Sequence, residues 1–285
     1  MSALLGALGL SPLAGAGGVS ALLGALGFSP LAGAGEAWLH RALCWGVLGL
    51  SAVTLAALRF VTAPYGRHAR PGWGPAVASR TGWLLMESPA LLVFAAVYVA
   101  GARRAEAAPL ALAALWALHY GQRTLVFPFL MRAPARPMPL AVALLGLAFN
   151  VVNAYLNARW LSALGAYPAG WLAGARFVAG ALLFAGGFAL NLHADARLRA
   201  LRAPGETVYR VPHGGPFALV SCPNYLGEIV EWAGWALATW SLPGLAFAVY
   251  TAANLAPRAL AHHAWYRRTF PDYPPARKAL VPFLL

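Results

Sequence analysis

Carboxylates are nearly missing from this chain. Eight Asp and Glu occur in 285 residues, and charged residues of both signs make up 10%, where a soluble domain carries roughly 25%. That scarcity excludes an ordinary cytosolic globular protein. Cysteine is as sparse: Cys44 and Cys222 are the two present, too few for a disulfide framework or a cysteine-based metal site. The string His-Glu-x-x-His is absent, and the adjacent His262 and His263 point to different faces of a helix, so no metal site is expected. Neither GxGxxG nor GxxxxGK(S/T) occurs, which leaves a Rossmann site or a phosphate-binding loop unsupported. Basic residues never form a block of five, so the formal charge of +13 does not point to nucleic acid.

What fills the chain is apolar. Hydrophobic residues reach 60%, with 11 Trp, 13 Phe and 10 Tyr, and mean hydropathy is +0.63. This composition excludes disorder and leaves an all-α membrane protein. Seven stretches are long enough to cross a bilayer, near 38–61, 82–100, 108–131, 138–158, 171–192, 224–241 and 244–266. The last two are joined by the tight turn Ser241-Leu242-Pro243-Gly244. Residues 62–80, 132–137 and 193–223 read as irregular connections. Residues 1–36 stand apart as a low-complexity extension: Ala3–Gly17 and Ala21–Gly35 are copies differing at Leu10 against Phe28. Each apolar run there is too short to span, and the basic start of a secretory signal is lacking. The membrane domain then covers 37–285.

Lys and Arg fall unevenly between the two sides. The segments 62–80, 121–139, 193–223 and 267–285 hold fourteen, and the opposite loops hold Arg103, Arg104 and Arg159. The positive-inside rule puts the N-terminus outside and the C-terminus in the cytoplasm.

Three of the eight acids, Glu87, Glu228 and Glu231, fall in or beside apolar spans. A carboxylate at membrane depth costs at least about 2.5 kcal/mol and normally faces a cavity or a partner. Helical spacing groups the polar residues into stripes: Asn224, Glu228 and Glu231; Asn191, Asp195, Arg199 and Arg202; Arg258, His262 and Tyr266; and His119, Tyr120 and Arg123. Four stripes converging on the cytoplasmic side read as the lining of a large polar ligand site. Arg123, Arg132, Arg136, Arg199, Arg202 and Arg210 all lie on that side. Arginine forks match phosphate oxygens, so the ligand is expected to be anionic. The segment Pro212-His213-Gly214-Gly215-Pro216 offers a backbone that could approach it closely.

One family carries these strings in this order. The runs Asn191-Leu192-His193-Ala194-Asp195, Leu201 to Glu206, Tyr209 to Gly215 and Ser221-Cys222-Pro223-Asn224-Tyr225-Leu226-Gly227-Glu228 resemble steroid 5α-reductase. So do Glu231-Trp232, Trp240 to Pro243, His262-His263, Tyr266 and Asp272 to Lys278. The pattern is nearest to the type 2 enzyme of animals, almost gap-free over 191–285 and looser over 62–190. The resemblance implies a seven-helix membrane reductase that takes hydride from NADPH and saturates the Δ4 double bond of a 3-oxo steroid. It puts Glu87 and Tyr120 at the positions that bind the 3-oxo group. It assigns Asn191, Asp195, Arg199, Arg202, Tyr209, Arg210, Asn224, Glu228, Trp232, His262 and Tyr266 to the cofactor, with Arg123 and Arg136 at basic positions of the same site, in a cofactor half over about 191–285.

Met86 stands where the family carries Gln, and Gly121-Gln122 replaces a bulkier pair; both bear on the identity of the substrate. Two donors at the enone oxygen would lower the barrier to hydride addition. Tyr120 is one as it stands, and Glu87 is one when protonated, the state poor solvation favours. Other readings stay open. The Pro-Asn-Tyr-Leu-Gly-Glu string also resembles isoprenylcysteine methyltransferases, which use S-adenosylmethionine, and sterol C14 and C7 reductases. A transporter-like bundle is the non-enzymatic alternative. The expected protein is a monomeric, multi-pass membrane enzyme with a steroid-like lipid substrate. Its Ala-, Arg- and Gly-rich composition suggests a bacterial inner membrane, or the endoplasmic reticulum in a eukaryote.

Overall fold

The computed structural model describes residues 34–132, 136–203, 205–206 and 208–285, so the tandem repeat, apart from its last two residues, lies outside the described residues. Seven long helices dominate those that are described: α1 Ala34–Phe60, α2 Ser79–Val99, α3 Ala107–Gly121, α4 Leu140–Arg159, α5 Ala175–Ala200, α6 Pro223–Thr239 and α7 Leu242–Thr269. One two-residue antiparallel pair, β1 Ala76–Val77 with β2 Met138–Pro139, ties the α1–α2 connection to the start of α4.

Each of the seven apolar runs overlaps one of these helices. Four of them, over Gly35–Phe60, Ser79–Val99, Leu140–Leu164 and Ala175–Ala200, are long and apolar enough to cross a membrane. Their outward side chains suit lipid: Leu92 and Leu182 are each 69% exposed in mid-helix. The other three helices differ for identifiable reasons. α3 has 15 residues and continues through a π-helical turn, Gln122–Val126, into the short helical segment Phe127–Leu130. α6 has 17 residues. α7 has 28 but carries Arg258, His262, His263, Arg267 and Arg268.

Two expectations need correction. The fifth helix does not run over 171–192; a 3-10 turn occupies Trp171–Ala173, and α5 extends to Ala200. Residues 193–200 are therefore helical rather than irregular. Arg197 and Arg199 sit in the last turn, where cations oppose the negative end of the helix dipole. At the other end of the chain, α1 begins at Ala34 inside the repeat, and Arg159 Nη2 donates to Glu36 Oε2 at 2.8 Å.

Glycine sets the central helix pair. A Cβ on Gly187 of α5 would stand 2.3 Å from the Glu231 nitrogen, and one on Gly234 of α6 would stand 2.4 Å from the Phe184 nitrogen. The missing side chains let the two backbones touch, as small residues do between helices in lipid. This approach fixes the register of Asn191 and Asp195 against Asn224 and Glu228. Around the pair, Trp116 is the hub of a buried aromatic cluster with Phe94, Tyr120, Trp232, Trp235 and Phe247. Its indole nitrogen is satisfied by the Ala90 carbonyl at 2.8 Å, which a buried N–H requires.

The tail after α7 folds back onto the entry to α6. Ser221 N donates to the Lys278 carbonyl at 2.8 Å, Cys222 N to the Ala279 carbonyl at 3.1 Å, and Lys278 N to the Leu219 carbonyl at 2.9 Å. Buried Arg277 donates to the Pro212 carbonyl at 3.1 Å.

Candidate active site

A cavity of about 340 Å³ opens between α2, α3, α4, α6 and α7. Glu87 and Tyr120 both line it, with His119, Arg123, Asp195, Asn224 and Glu228 at its polar part and Met86, Phe149 and Phe247 along its apolar part. Glu87 comes two residues before Pro89 in α2. A proline inside a helix has no N–H for the preceding turn, so the backbone is loosened beside the carboxyl. Glu87 Oε2 accepts from Asn150 Nδ2 of α4 at 3.3 Å. Tyr120 is held by Trp116 at 4.7 Å and Trp232 at 5.7 Å between ring centroids. Its neighbour His119 is anchored through Nδ1 to Glu231 Oε1 at 2.7 Å, both buried.

The π-helical turn carries α3 to the polar end of the cavity. A π turn inserts an extra residue into the helical ladder and recurs at functional sites. Here it carries Arg123, whose Nη1 donates to Asp195 Oδ2 at 3.1 Å and whose Nη2 lies 3.6 Å from Glu228 Oε2. The Trp83 and Phe127 rings cover the guanidinium at 4.8 and 4.5 Å. Asn224 Nδ2 donates to Asp195 Oδ1 at 3.3 Å. The stripes on α3, α5 and α6 thus meet at one guanidinium.

Two further cavities adjoin this one. The first, about 240 Å³, is lined by Arg67, Arg136, Arg202, Tyr209 and His262 and shares Tyr65 and Trp83 with the large cavity. The second, about 210 Å³, is lined by Arg67, Arg132, Arg199, Arg202, Arg210 and Tyr266 and shares Asp195 and Phe127 with it. Tyr209 stands between the two basic cavities, with Arg202, Arg67 and Arg136 around its ring at 4.4, 5.2 and 5.9 Å. Buried Nη1 atoms of Arg67 and Arg199 find no hydrogen-bond partner among the described residues. Orphaned guanidinium donors in a basic cleft suit phosphate oxygens.

Not every residue singled out from sequence reaches these walls. Asn191 is buried between α5 and α6, donating to the Asn224 carbonyl at 3.0 Å. Trp232 is 1% exposed and packs behind Tyr120. Arg210 lines the second basic cavity while Nη2 donates to Glu206 Oε1 at 2.8 Å. Gly214 and Gly215 line none of the three cavities. Both adopt positive φ, 77° and 54°, and turn the chain over the end of α5, where Arg197 Nη2 donates to the His213 carbonyl at 3.0 Å. The close approach expected of this pair is to α5.

Sequence reasoning passed over Arg67, Trp83, Asn150 and Tyr225. Asn150 could have been found, since it is a polar residue within an apolar run. Outside the helices, burial and the nearby Arg67, Arg70 and Arg268 push the His68 imidazole down to about 4. Burial pushes the Cys222 thiol up to about 12, which makes it inert as a nucleophile.

Residues 136–285 match the family model described as 3-oxo-5-alpha-steroid 4-dehydrogenase. The chain is 44% identical over 254 residues to 3-oxo-5-alpha-steroid 4-dehydrogenase 1 of Bos taurus, covering 88% of this chain and 98% of that protein. It is 41% identical over 251 residues to the Homo sapiens protein of the same name, with 87% and 96% covered. Steroid 5-alpha-reductase DET2 of Gossypium hirsutum is 43% identical over 236 residues, with 81% and 92% covered.

Proposed function

The chain belongs to the 3-oxo-5-alpha-steroid 4-dehydrogenase family of oxidoreductases, and on that premise we propose that it uses NADPH to reduce the Δ4 double bond of a 3-oxo steroid or a similar lipid enone. The observation that carries this reading is one cavity holding Glu87 and Tyr120 that adjoins two arginine-lined cavities. The mixed apolar and polar lining of the large cavity suits a lipid with one polar end. The arginine-lined cavities suit a phosphorylated cofactor, because Arg67 and Arg199 retain donors without a partner among the described residues. S-adenosylmethionine has no phosphate to take them up, which disfavours methyl transfer.

Arg199, Arg202, Arg136 and Arg67 would hold the phosphates, with Tyr209, Arg210, His262 and Tyr266 on the same walls. Asp195, Asn224, Glu228 and Arg123 form the junction between the cofactor and substrate regions, and Asn191 and Trp232 support it from behind. When bound, NADPH supplies the hydride for the β-carbon of the enone. Negative charge then develops on the carbonyl oxygen. Tyr120 and protonated Glu87 donate to that oxygen, and donors aimed there in advance stabilise the transition state more than the ground state. Asn150 Nδ2 satisfies one oxygen of Glu87, which leaves the other free to carry the proton.

Seven helices would cross the membrane, with α3 and its π-turn continuation, α6 and α7 joining the four that are long and apolar enough by themselves. α3 and α6 are the shorter helices of the set, with 15 and 17 residues, and α7 carries Arg258 and His262 at the cavity walls. Arg67, Arg70, Arg132, Arg136, Arg199, Arg202, Arg210, Arg267 and Arg268 would then face the cytoplasm, with the N-terminus outside. We read the protein as a monomeric multi-pass membrane enzyme. Its compared relatives are animal and plant proteins, and composition alone carries the bacterial assignment.

The test is NADPH consumption by the purified full chain with a panel of 3-oxo-Δ4 steroids and simpler enones. Turnover with at least one, together with a melting-temperature rise on NADPH and none on S-adenosylmethionine, is the expected result. A folded preparation that oxidises no NADPH with any enone would overturn the reading.

A further inference from the structure

Beside the cavity that holds Glu87 and Tyr120, four side chains from three segments form an unbroken hydrogen-bonded line. Arg258 Nη2 of α7 donates to the Tyr225 hydroxyl of α6 at 3.1 Å. That hydroxyl lies 3.0 Å from His262 Nε2, and His262 Nδ1 lies 2.9 Å from His68 Nε2 in the α1–α2 connection. The two imidazole rings are within 12° of parallel with centroids 4.9 Å apart, the spacing of an in-plane N–H···N bond. Arg258 and Tyr225 line the large cavity. At the other end, His68 lines a separate cavity of about 310 Å³ that exposed Arg59 and Arg268 also border. The line therefore runs from the inner cavity to the surface.

Enone reduction, on which this inference rests, needs a proton as well as a hydride. Hydride addition at the β-carbon leaves an electron pair spread over the α-carbon and the carbonyl oxygen. The product forms when the α-carbon gains a proton and the C=O bond is restored, with Glu87 and Tyr120 keeping their own protons. The geometry points to Tyr225 as the donor of that proton and to His262 and His68 as the path that replaces it from water.

The hydrogen-bond directions allow it. With His262 protonated at Nε2, the Tyr225 oxygen accepts from both Arg258 and His262, which uses both its lone pairs. Its own O–H bond is then free to point into the cavity. When that bond breaks toward the α-carbon, the electron pair stays on the phenolate oxygen beside the Arg258 cation, which stabilises it. His262 returns a proton through Nε2 and accepts one at Nδ1 from His68 Nε2. His68 takes a proton at Nδ1 from a water, leaving hydroxide to the solvent. One proton enters and each link is restored to neutrality, with the tautomers of both rings reversed until they reset through solvent.

The test uses the full chain in lipid nanodiscs with NADPH and whichever enone the wild type turns over best. His68→Ala should lower kcat at least fivefold while the KM values for NADPH and enone stay within twofold. Added imidazole should restore kcat in that variant and leave the wild type unchanged. Tyr225→Phe should lose on the order of 10²-fold or more in kcat, without rescue by imidazole, while still gaining melting temperature from NADPH. Wild-type kcat in His68→Ala, or a loss that imidazole does not repair, would overturn the relay. Failure of the wild type itself to consume NADPH is a separate result, and it strikes the enone-reductase reading instead.

Discussion

Asn150 of α4 presents one amide nitrogen to two neighbours on α2, the Met86 carbonyl at 2.8 Å and Glu87 Oε2 at 3.3 Å. The carboxyl is therefore held by a helix other than its own, just before the proline that loosens α2. Met86 is fixed from the same side. A Cβ on Gly146, one turn before Asn150, would stand 2.2 Å from Met86 Cγ, so the thioether chain lies in the notch that glycine leaves.

This arrangement predicts a graded series at the carboxyl. Glu87→Gln keeps a donor and should retain turnover within about tenfold, whereas Glu87→Ala should lose about 10²- to 10³-fold in kcat. Asn150→Leu leaves the carboxyl in place without its anchor, and its loss should fall between these two. Steady-state NADPH oxidation at saturating enone gives the comparison.

The arginine-lined cavities predict a different kinetic signature. Arg199→Ala should raise the KM for NADPH about tenfold or more with little change in kcat, because a phosphate contact is made equally in the ground and transition states. The melting-temperature rise on adding NADPH should shrink in parallel.

Close packing of α5 on α6 predicts a sharp contrast between adjacent residues. A Cβ on Gly187 would meet the α6 backbone, whereas one on Gly186 would have nothing within 4 Å. Gly187→Ala should destabilise the protein by roughly 1–3 kcal/mol, and Gly186→Ala should be neutral or slightly stabilising through its better helix propensity. Thermal unfolding in one detergent distinguishes them.

Acid sensitivity has an assignable contributor. In the folded chain the His68 imidazole is held down to about 4 by burial and by Arg67, Arg70 and Arg268, with Nε2 2.9 Å from His262 Nδ1 and Thr62, Arg59 and Arg258 around the same cavities. The unfolded chain binds that proton at about 6.5, so it holds more protons than the folded one between these values. Stability should therefore fall as pH drops from about 6.5 toward 4 and be unaffected by this group above that range. His68→Gln should flatten part of the decline in melting temperature.

The positions of the seven helices could be read from apolar run lengths alone, because side chains facing lipid must be apolar wherever a helix is exposed. The extension of α5 to Ala200 could be read only in part: Asp195 and Arg199 continue the helical spacing from Asn191, but the end of an apolar run does not mark the end of a helix. The polar stripes were visible through helical spacing, which is why Asp195, Asn224, Glu228 and Arg123 could be grouped before any coordinates. Asn191 and Trp232 belonged to the same strings but support the site from behind, and periodicity cannot distinguish facing a cavity from facing a neighbouring helix. The π-helical turn left no mark, because its residues suit an ordinary helix equally well. The link between His68 and His262 crosses 194 residues, and local pattern carries no information at that range.

The pairing of residues 278 and 279 with the approach to α6 has a consequence for how the protein is made. Arg277 grips the Pro212 carbonyl, and Lys278 and Ala279 take up the backbone donors of Ser221 and Cys222. During synthesis α5 and α6 can insert and meet through their glycines well before these residues leave the ribosome. The wall carrying Tyr209 and Arg210 stays unbraced until they do. A released chain truncated before residue 277 should therefore insert yet be unable to retain nucleotide, separating membrane integration from maturation of the basic cleft.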